Sequence, residues 1–224
     1  MRSLEPELRA GLDQLALPLT DTQIGLCLDY LDLLGKWSKV YNLTAIRDPQ
    51  EMLTHHLLDS LAVVAPLRRQ LQQLYPSEPR PLRLLDVGAG AGLPGVLIAI
   101  ACPEVTVTCV DTVAKKAAFI QQAAGALRLP NLRGLHARVE TLVDSYDVIS
   151  ARAFSSLVDF VNWSGTALAP HGIWLAMKGK HPSDEMATLQ GATQEAVEVF
   201  HVEQLTVPGL DAERCILWMR KKAA

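Results

Sequence analysis

The sequence predicts an α/β protein: a mostly parallel, doubly wound sheet, closed by an antiparallel C-terminal hairpin and preceded by a helical extension. Three observations carry this prediction. Short apolar runs alternate with helical stretches after residue 81, which implies right-handed β-α-β crossovers. The last two strand-like runs, 199–207 and 215–220, are joined by only 208–214, too short for a crossover helix, so they pair antiparallel. Before residue 75 the periodicity is helical throughout.

In chain order, Thr20 and Gln23 have capping-box spacing, and Ile24, Cys27, Leu28, Leu31, Leu34 and Trp37 then recur at intervals of three and four. Asp48-Pro49-Gln50-Glu51 marks a second helix start: an N-cap, proline at the first helical position, and an acid three residues after the cap. The apolar positions from Met52 to Leu74 suit one or two more helices. Tyr75 to Pro81 (YPSEPRP) has three prolines in seven residues and reads as a connector. It divides a helical extension, 1–75, packed on the core, from the core itself, 76–224, the two forming one compact unit. Strands are expected at 83–87, 105–110, 132–137, 147–150 and 173–177. Helices are expected at 93–101, 113–129, 155–168 and 183–196.

Composition narrows the function. The 224 residues are 49% apolar and 20% charged, ordinary globular values that exclude disorder and low complexity. Cys27, Cys102, Cys109 and Cys215 are scattered and form no C-x-x-C pair, against a zinc ribbon or a disulfide framework. The longest apolar run, 93–102, is about half a membrane span. With no signal-peptide pattern at the start, a cytoplasmic protein is expected. A net charge of −3 and a pI near 6.1 count against a protein that coats nucleic acid indiscriminately, though not against a local basic face.

The chemistry concentrates where the first predicted strand runs into a glycine turn that opens a helix, Asp86-Val87-Gly88-Ala89-Gly90-Ala91-Gly92-Leu93-Pro94-Gly95. Such a turn lets backbone approach a nucleotide-like ligand closely and presents free N–H groups at a helix start. Leu93 stands where a dinucleotide fingerprint needs glycine or alanine, which disfavours a nicotinamide dehydrogenase, and no Gly-Lys-Ser/Thr of a P-loop is present. The second strand ends at Val110-Asp111, the separation at which an acid meets ribose hydroxyls. A bare tight turn followed by a surface acid is the plain alternative; strand, helix, acid and terminal hairpin together favour a ligand loop.

The pattern Asp86-Val87-Gly88-Ala89-Gly90-Ala91-Gly92 resembles the first motif of class I S-adenosylmethionine-dependent methyltransferases, whose Rossmann-like sheet fits the elements above. Further blocks follow in order: Lys36 to Thr44 (KWSKVYNLT), Arg47-Asp48-Pro49, His56-Leu57-Leu58-Asp59-Ser60, Gly92 to Gly95, Ser150-Ala151-Arg152-Ala153-Phe154 and Lys178-Gly179. Together they resemble the bacterial 16S rRNA guanine-N7 methyltransferases of the glucose-inhibited division protein B family, over about Trp37 to Arg220. The resemblance implies methyl transfer from S-adenosylmethionine to N7 of one guanosine in 16S rRNA, in or on the small ribosomal subunit. By matching positions it implies donor contacts at Asp86, Gly88, Gly90, Leu93, Asp111, Thr112, Val139, Glu140 and Arg152. Thr112-Val113-Ala114 departs from relatives that carry a polar or basic residue there. Substrate contacts are implied at Asn42, His56, Asp59 and Lys178.

The residues accord with such chemistry. A cysteine nucleophile for pyrimidine C5, or the Asn/Asp-Pro-Pro-Tyr/Phe tetrad used on exocyclic amines, belongs after the fourth strand, where Ser150 to Phe154 stands instead. Guanine N7 offers an in-plane lone pair and carries no proton, so no general base is expected. Arg152 suits a carboxylate, guanine O6 or a phosphate. His55, His56 and Asp59 lie within one helical turn but lack H-E-x-x-H, and no metal is expected. Trp37 and Tyr41 on an amphipathic helix read as core before they read as base-stacking groups. Lys36, Lys39, Lys178 and Lys180 flank the expected mouth. A monomer is expected. The rivals are a methyltransferase for a small molecule or protein, and a non-catalytic ribosome-assembly factor.

Overall fold

The computed structural model describes residues 1–76, 80–193 and 196–222. Part of the expected connector, 77–79, lies outside the described residues.

The extension begins with a 3-10 turn, Arg2–Leu4, and α1, Glu5–Gln14, a helix within the expected helical stretch that no start signal delimits. The helix α2, Asp21–Tyr41, starts at the Thr20–Gln23 capping box and ends at Asn42 in a left-handed conformation. The helix α3, Pro49–Met52, is capped by Asp48, whose carboxylate accepts from the Gln50 and Glu51 N–H groups. It continues through a π-helical segment, Leu53–Leu58, into α4, Asp59–Leu61, and α5, Val64–Leu74, follows.

The core comprises β1 (Arg83–Val87), α6 (Gly95–Ala101), β2 (Thr106–Asp111), α7 (Ala114–Ala126), β3 (Leu132–His136), β4 (Tyr146–Arg152), α8 (Leu157–Ser164), β5 (Leu168–Lys178), α9 (Ser183–Ala192), β6 (Val197–Leu205) and β7 (Arg214–Lys221). The seven strands lie in the order β3-β2-β1-β4-β5-β7-β6, with β1 to β5 parallel and β7 antiparallel to both β5 and β6. The order reverses between β1 and β4, so the crevice between their carboxyl ends is the place for a ligand.

Several boundaries differ from expectation, and the differences at the glycine turn and at β5 have a clear cause. The helix expected from 93 starts only at Gly95, because Ala89 to Leu93 close a turn in which the Gly92 and Leu93 N–H groups both bond the Ala89 carbonyl. The helix expected to run to 168 stops at Ser164; Leu168 already pairs with Tyr146 in the sheet, and β5 is twice as long as the apolar run suggested. Pairing with β4 overrode local pattern there.

One apolar cluster runs from Leu8 and Leu31 in the extension through Leu97 of α6 to Val107 and Phe119 in the core. Trp37 lies at 5.4 Å from Phe119, ring to ring, and the Tyr30 hydroxyl donates to the Ala91 carbonyl at 2.7 Å. The extension thus packs against the far side of the glycine turn.

Candidate functional site

The turn after β1 keeps its shape through alternating left-handed glycines. Gly88 has φ +63°, and a Cβ there would meet the Phe154 ring at 2.6 Å. Gly90 has φ +58° and donates its N–H to Asp111 Oδ2 at 2.9 Å. An L-residue in that conformation costs about 1–2 kcal/mol, so both positions favour glycine. Asp111 closes the turn from the end of β2. Its second oxygen accepts from the Val113 N–H at 2.8 Å, and Lys116 Nζ stands 3.9 Å away.

Asp86 lies beneath the turn and is fully buried; Oδ2 accepts from the Gly95 N–H at 3.0 Å and Oδ1 from the Ser150 hydroxyl at 2.9 Å. Burial pushes its carboxyl up to about 6, against the two hydrogen bonds, which favour the ionised form. Leu93, at the end of the turn, is buried as well.

A cleft of about 310 Å³ opens over this turn, lined by Val87, Gly88, Val110, Asp111, Thr112, Val113, Lys116, Ala137, Arg138, Val139, Glu140, Phe154 and Trp163. Of the expected donor contacts, Gly88, Asp111, Thr112, Val139 and Glu140 meet here. Asp86, Gly90 and Leu93 do not line the cleft; they form and brace its floor. Arg152 lies elsewhere.

A second cleft, about 450 Å³, begins just across Ala153 and is lined by Ile46, His55, His56, Asp59, Arg152, Ala153, Met177, Lys178, Gly179 and Arg214. Asp59 is its electrostatic centre: one oxygen accepts from Arg152 Nη1 at 3.0 Å and the other from Arg214 Nε at 2.8 Å. The Arg152 Nη1 group also donates to the His55 carbonyl at 3.1 Å. Two guanidinium groups on one carboxylate leave a net positive cluster with N–H donors to spare. His56 shares a 2.8 Å hydrogen bond with the Thr44 hydroxyl. Burial, reinforced by Arg152, holds its imidazole down to about 4, so it is neutral at pH 7.

Lys178 lines this cleft, but its ammonium pairs with Glu185 at 2.8 Å and donates to the Ser155 carbonyl at 3.3 Å. Glu185 also accepts from the Leu157 N–H at 3.0 Å. This pair therefore fastens the segment carrying Ala153 and Phe154, which divides the clefts. Ala153 itself holds φ +52°, a strained value for a residue with a side chain. Asn42 is not in the lining; it is exposed at the end of α2 and accepts from Arg47 at 2.7 Å.

The sequence reading singles out none of Arg214, Trp163 and Glu185. The signal for Arg214 was available: β7 runs antiparallel, so its first residue lies beside the carboxyl end of β5, with Cys215 opposite Lys178. A larger hollow of about 510 Å³, lined by Arg68, Leu71 and Leu82 among others, sits by the amino ends of β1 and β2, away from the ligand edge. Among the described residues no group of three or more His, Cys, Asp and Glu could hold a metal, and no helix is long and apolar enough to cross a membrane.

The fold is shared with solved methyltransferases. A ribosomal protein L11 methylase from Lactobacillus delbrueckii subsp. bulgaricus superposes with a TM-score of 0.53 over 73% of this chain and 79% of its own, at 12% identity. A SAM-dependent methyltransferase from Aquifex aeolicus gives 0.50 over 68% and 88%, at 15% identity. Sequence similarity is far closer to a ribosomal RNA small subunit methyltransferase G of Polaromonas sp. (strain JS666), 68% identical over 224 residues, covering all of this chain and 96% of the relative. One from Acidovorax sp. (strain JS42) is 67% identical over 223 residues, covering 99% and 97%. The model of the GidB family, described as rRNA small subunit methyltransferase G, matches residues 23–217. On these matches, and with the methyltransferase sheet order and glycine turn in place, the chain belongs to the rRNA small subunit methyltransferase G family.

Proposed function

We propose that this chain transfers the methyl group of S-adenosylmethionine to N7 of one guanine in 16S rRNA, with the donor in the cleft over the glycine turn and the target nucleotide in the cationic cleft beside it. The carrying observation is the adjacency of these two clefts at the carboxyl ends of β1 and β4, where Ala153 lines one and the next residue, Phe154, lines the other. A nucleoside suits the first cleft. At Gly88 the missing Cβ lets the Phe154 ring close directly on the turn at the edge of the cleft, and Asp111 keeps lone pairs free for ribose hydroxyls after accepting its two N–H bonds.

The donor supplies a sulfonium methyl already activated for displacement. What remains for the chain is to hold the guanine in line with it and to keep water out. Thr112, Val139 and Glu140 would border the adenosine. Arg152 and Arg214, preset by Asp59, offer N–H groups to a phosphate or to guanine O6, and they must leave the N7 lone pair free. No proton leaves guanine at N7, so the neutral His56 is not required as a base. Its bond to Thr44 supports instead a role in shaping the pocket. The methylated ring is cationic, and the Asp59 carboxylate offsets part of the positive charge around it. No cysteine lines either cleft, which accords with a direct displacement rather than addition at a pyrimidine carbon.

The test is transfer of radiolabelled methyl from the donor to 30S subunits, free 16S rRNA and cell extract, followed by nucleoside analysis of the labelled product. Label in 7-methylguanosine of 16S rRNA is the expected outcome. Label confined to protein or small molecules would overturn the reading.

A further inference from the structure

The donor cleft has a wall that the turn and the acid do not account for. Trp163, on α8, is 40% exposed although it is among the largest of side chains. It lines the same cleft as Gly88, Asp111 and Val139. Trp174 and Trp218 are buried in the sheet, and Trp37 packs on Phe119. Trp163 is not loosely attached. Its ring stands edge-to-face with Phe154, centroids 5.7 Å apart and planes at 86°, and Phe154 makes a second edge contact with Phe160 at 6.1 Å. A braced aromatic ring, half open to a cleft, presents a flat apolar surface of fixed orientation.

We propose that Trp163 is a binding residue for the donor, the surface against which the purine ring of its nucleoside packs. The inference rests on the reading of this cleft as the donor site. Asp111 marks where ribose hydroxyls are met, and around it the lining turns apolar at Val113, Ala137, Val139 and Trp163, with Arg138 and Glu140 as polar neighbours. A planar heterocycle joined to that ribose has its faces matched there and its polar edge left to the rim. Stacking of this kind contributes affinity without reading the base edge. It also needs an aromatic face, which separates it from simple packing of α8.

The full-length protein is titrated with S-adenosylhomocysteine, adenosine and homocysteine while tryptophan emission is followed, and affinities are measured by calorimetry. S-adenosylhomocysteine and adenosine, but not homocysteine, change the emission of the wild type, and the change disappears in Trp163→Phe. Trp163→Phe binds S-adenosylhomocysteine within about threefold of wild type, whereas Trp163→Ala and Trp163→Leu lose roughly tenfold or more, with thermal melts reporting on folding. Affinity in the Leu and Ala variants equal to wild type, or an emission change that survives in Trp163→Phe, overturns the assignment of Trp163 and leaves the donor site standing. Failure of the wild type to bind S-adenosylhomocysteine at all overturns the donor site, and this inference with it.

Discussion

Asp111 is asked to do two things at once, and substitutions at this residue separate them. It ties the glycine turn to β2 through the Gly90 and Val113 N–H groups, and it presents remaining lone pairs to the cleft. Hydrogen bonds to a charged group are worth about 1.5–3 kcal/mol, so Asp111→Ala should weaken S-adenosylhomocysteine binding by about tenfold to a hundredfold in calorimetry. Unchanged affinity would remove Asp111 from the donor site. Gly88→Val fails differently: its side chain meets Phe154 and its φ of +63° is unfavourable. Donor binding should be lost while the far-UV spectrum stays native, and a variant that still binds would refute the cradle. His56 gives a pH signature. Its folded value of about 4 lies below the unfolded value of about 6.5, so the unfolded state binds more protons between these limits. The stability it contributes is present above pH 6.5 and is lost as pH falls towards 4. Asp86, raised to about 6 from 3.8, works the opposite way: its contribution is present below pH 3.8 and is lost as pH rises through 6. The overlap is resolved by subtraction. The stability of wild type minus that of His56→Gln, from urea unfolding, should fall by up to about 3 kcal/mol between pH 6.5 and 4. A flat difference would mean that the native imidazole is charged.

The element that matters most to the second cleft is the helix from Pro49 to Leu61. In its π-helical middle the Asp59 N–H reaches back five residues to the Thr54 carbonyl, while the His55 carbonyl accepts from Arg152. A widened turn of this kind is frequent at functional sites, and here it sets His55, His56 and Asp59 along one cleft. The cap at Asp48 holds the start of the helix. Asp48→Ala should cost about 1 kcal/mol in urea unfolding. It should lower methylation of rRNA more than donor affinity, because the helix serves the second cleft; an equal loss of both would show that the clefts are not served separately. Both caps were legible in the sequence, since a side chain bonding N–H groups two or three residues on is a purely local device. The sequence also held the hairpin, through the shortness of 208–214. The π segment was not legible: its apolar spacing is compatible with an ordinary helix, and its widening accompanies contacts with residues 93 to 155 positions away. The early start of β5 was hidden for the same reason, as pairing of Leu168 with Tyr146 is a property of the sheet.

At the scale of the whole molecule the two clefts differ in how far the chain must travel to build them. The glycine turn and Asp111 come from one strand–turn–helix–strand passage, so sequence spacing displays the floor of that cleft, whereas its wall at 137–140, 154 and 163 comes from further along the chain. The cationic cleft gathers 55–59, 152, 178 and 214, and only the strand order and the antiparallel β7 bring them together. Its charges are largely answered within the fold: Arg152 and Arg214 by Asp59, Lys178 by Glu185. With a net charge of −3, the chain as a whole does not attract a phosphate backbone. Binding to RNA should therefore depend only weakly on salt, with a log–log slope of about −2 to −3, the value for some three or four phosphates on a single strand. Specificity must then come from the shape of the RNA around the target guanine, as in recognition of folded RNA generally. It follows that assembled small subunits, or long folded rRNA, should be methylated at least about tenfold faster than a short oligonucleotide carrying the same guanine, in side-by-side assays at fixed salt. A slope steeper than about −6, or equal rates on the short RNA, would mean that a broad basic surface and not shape selects the substrate.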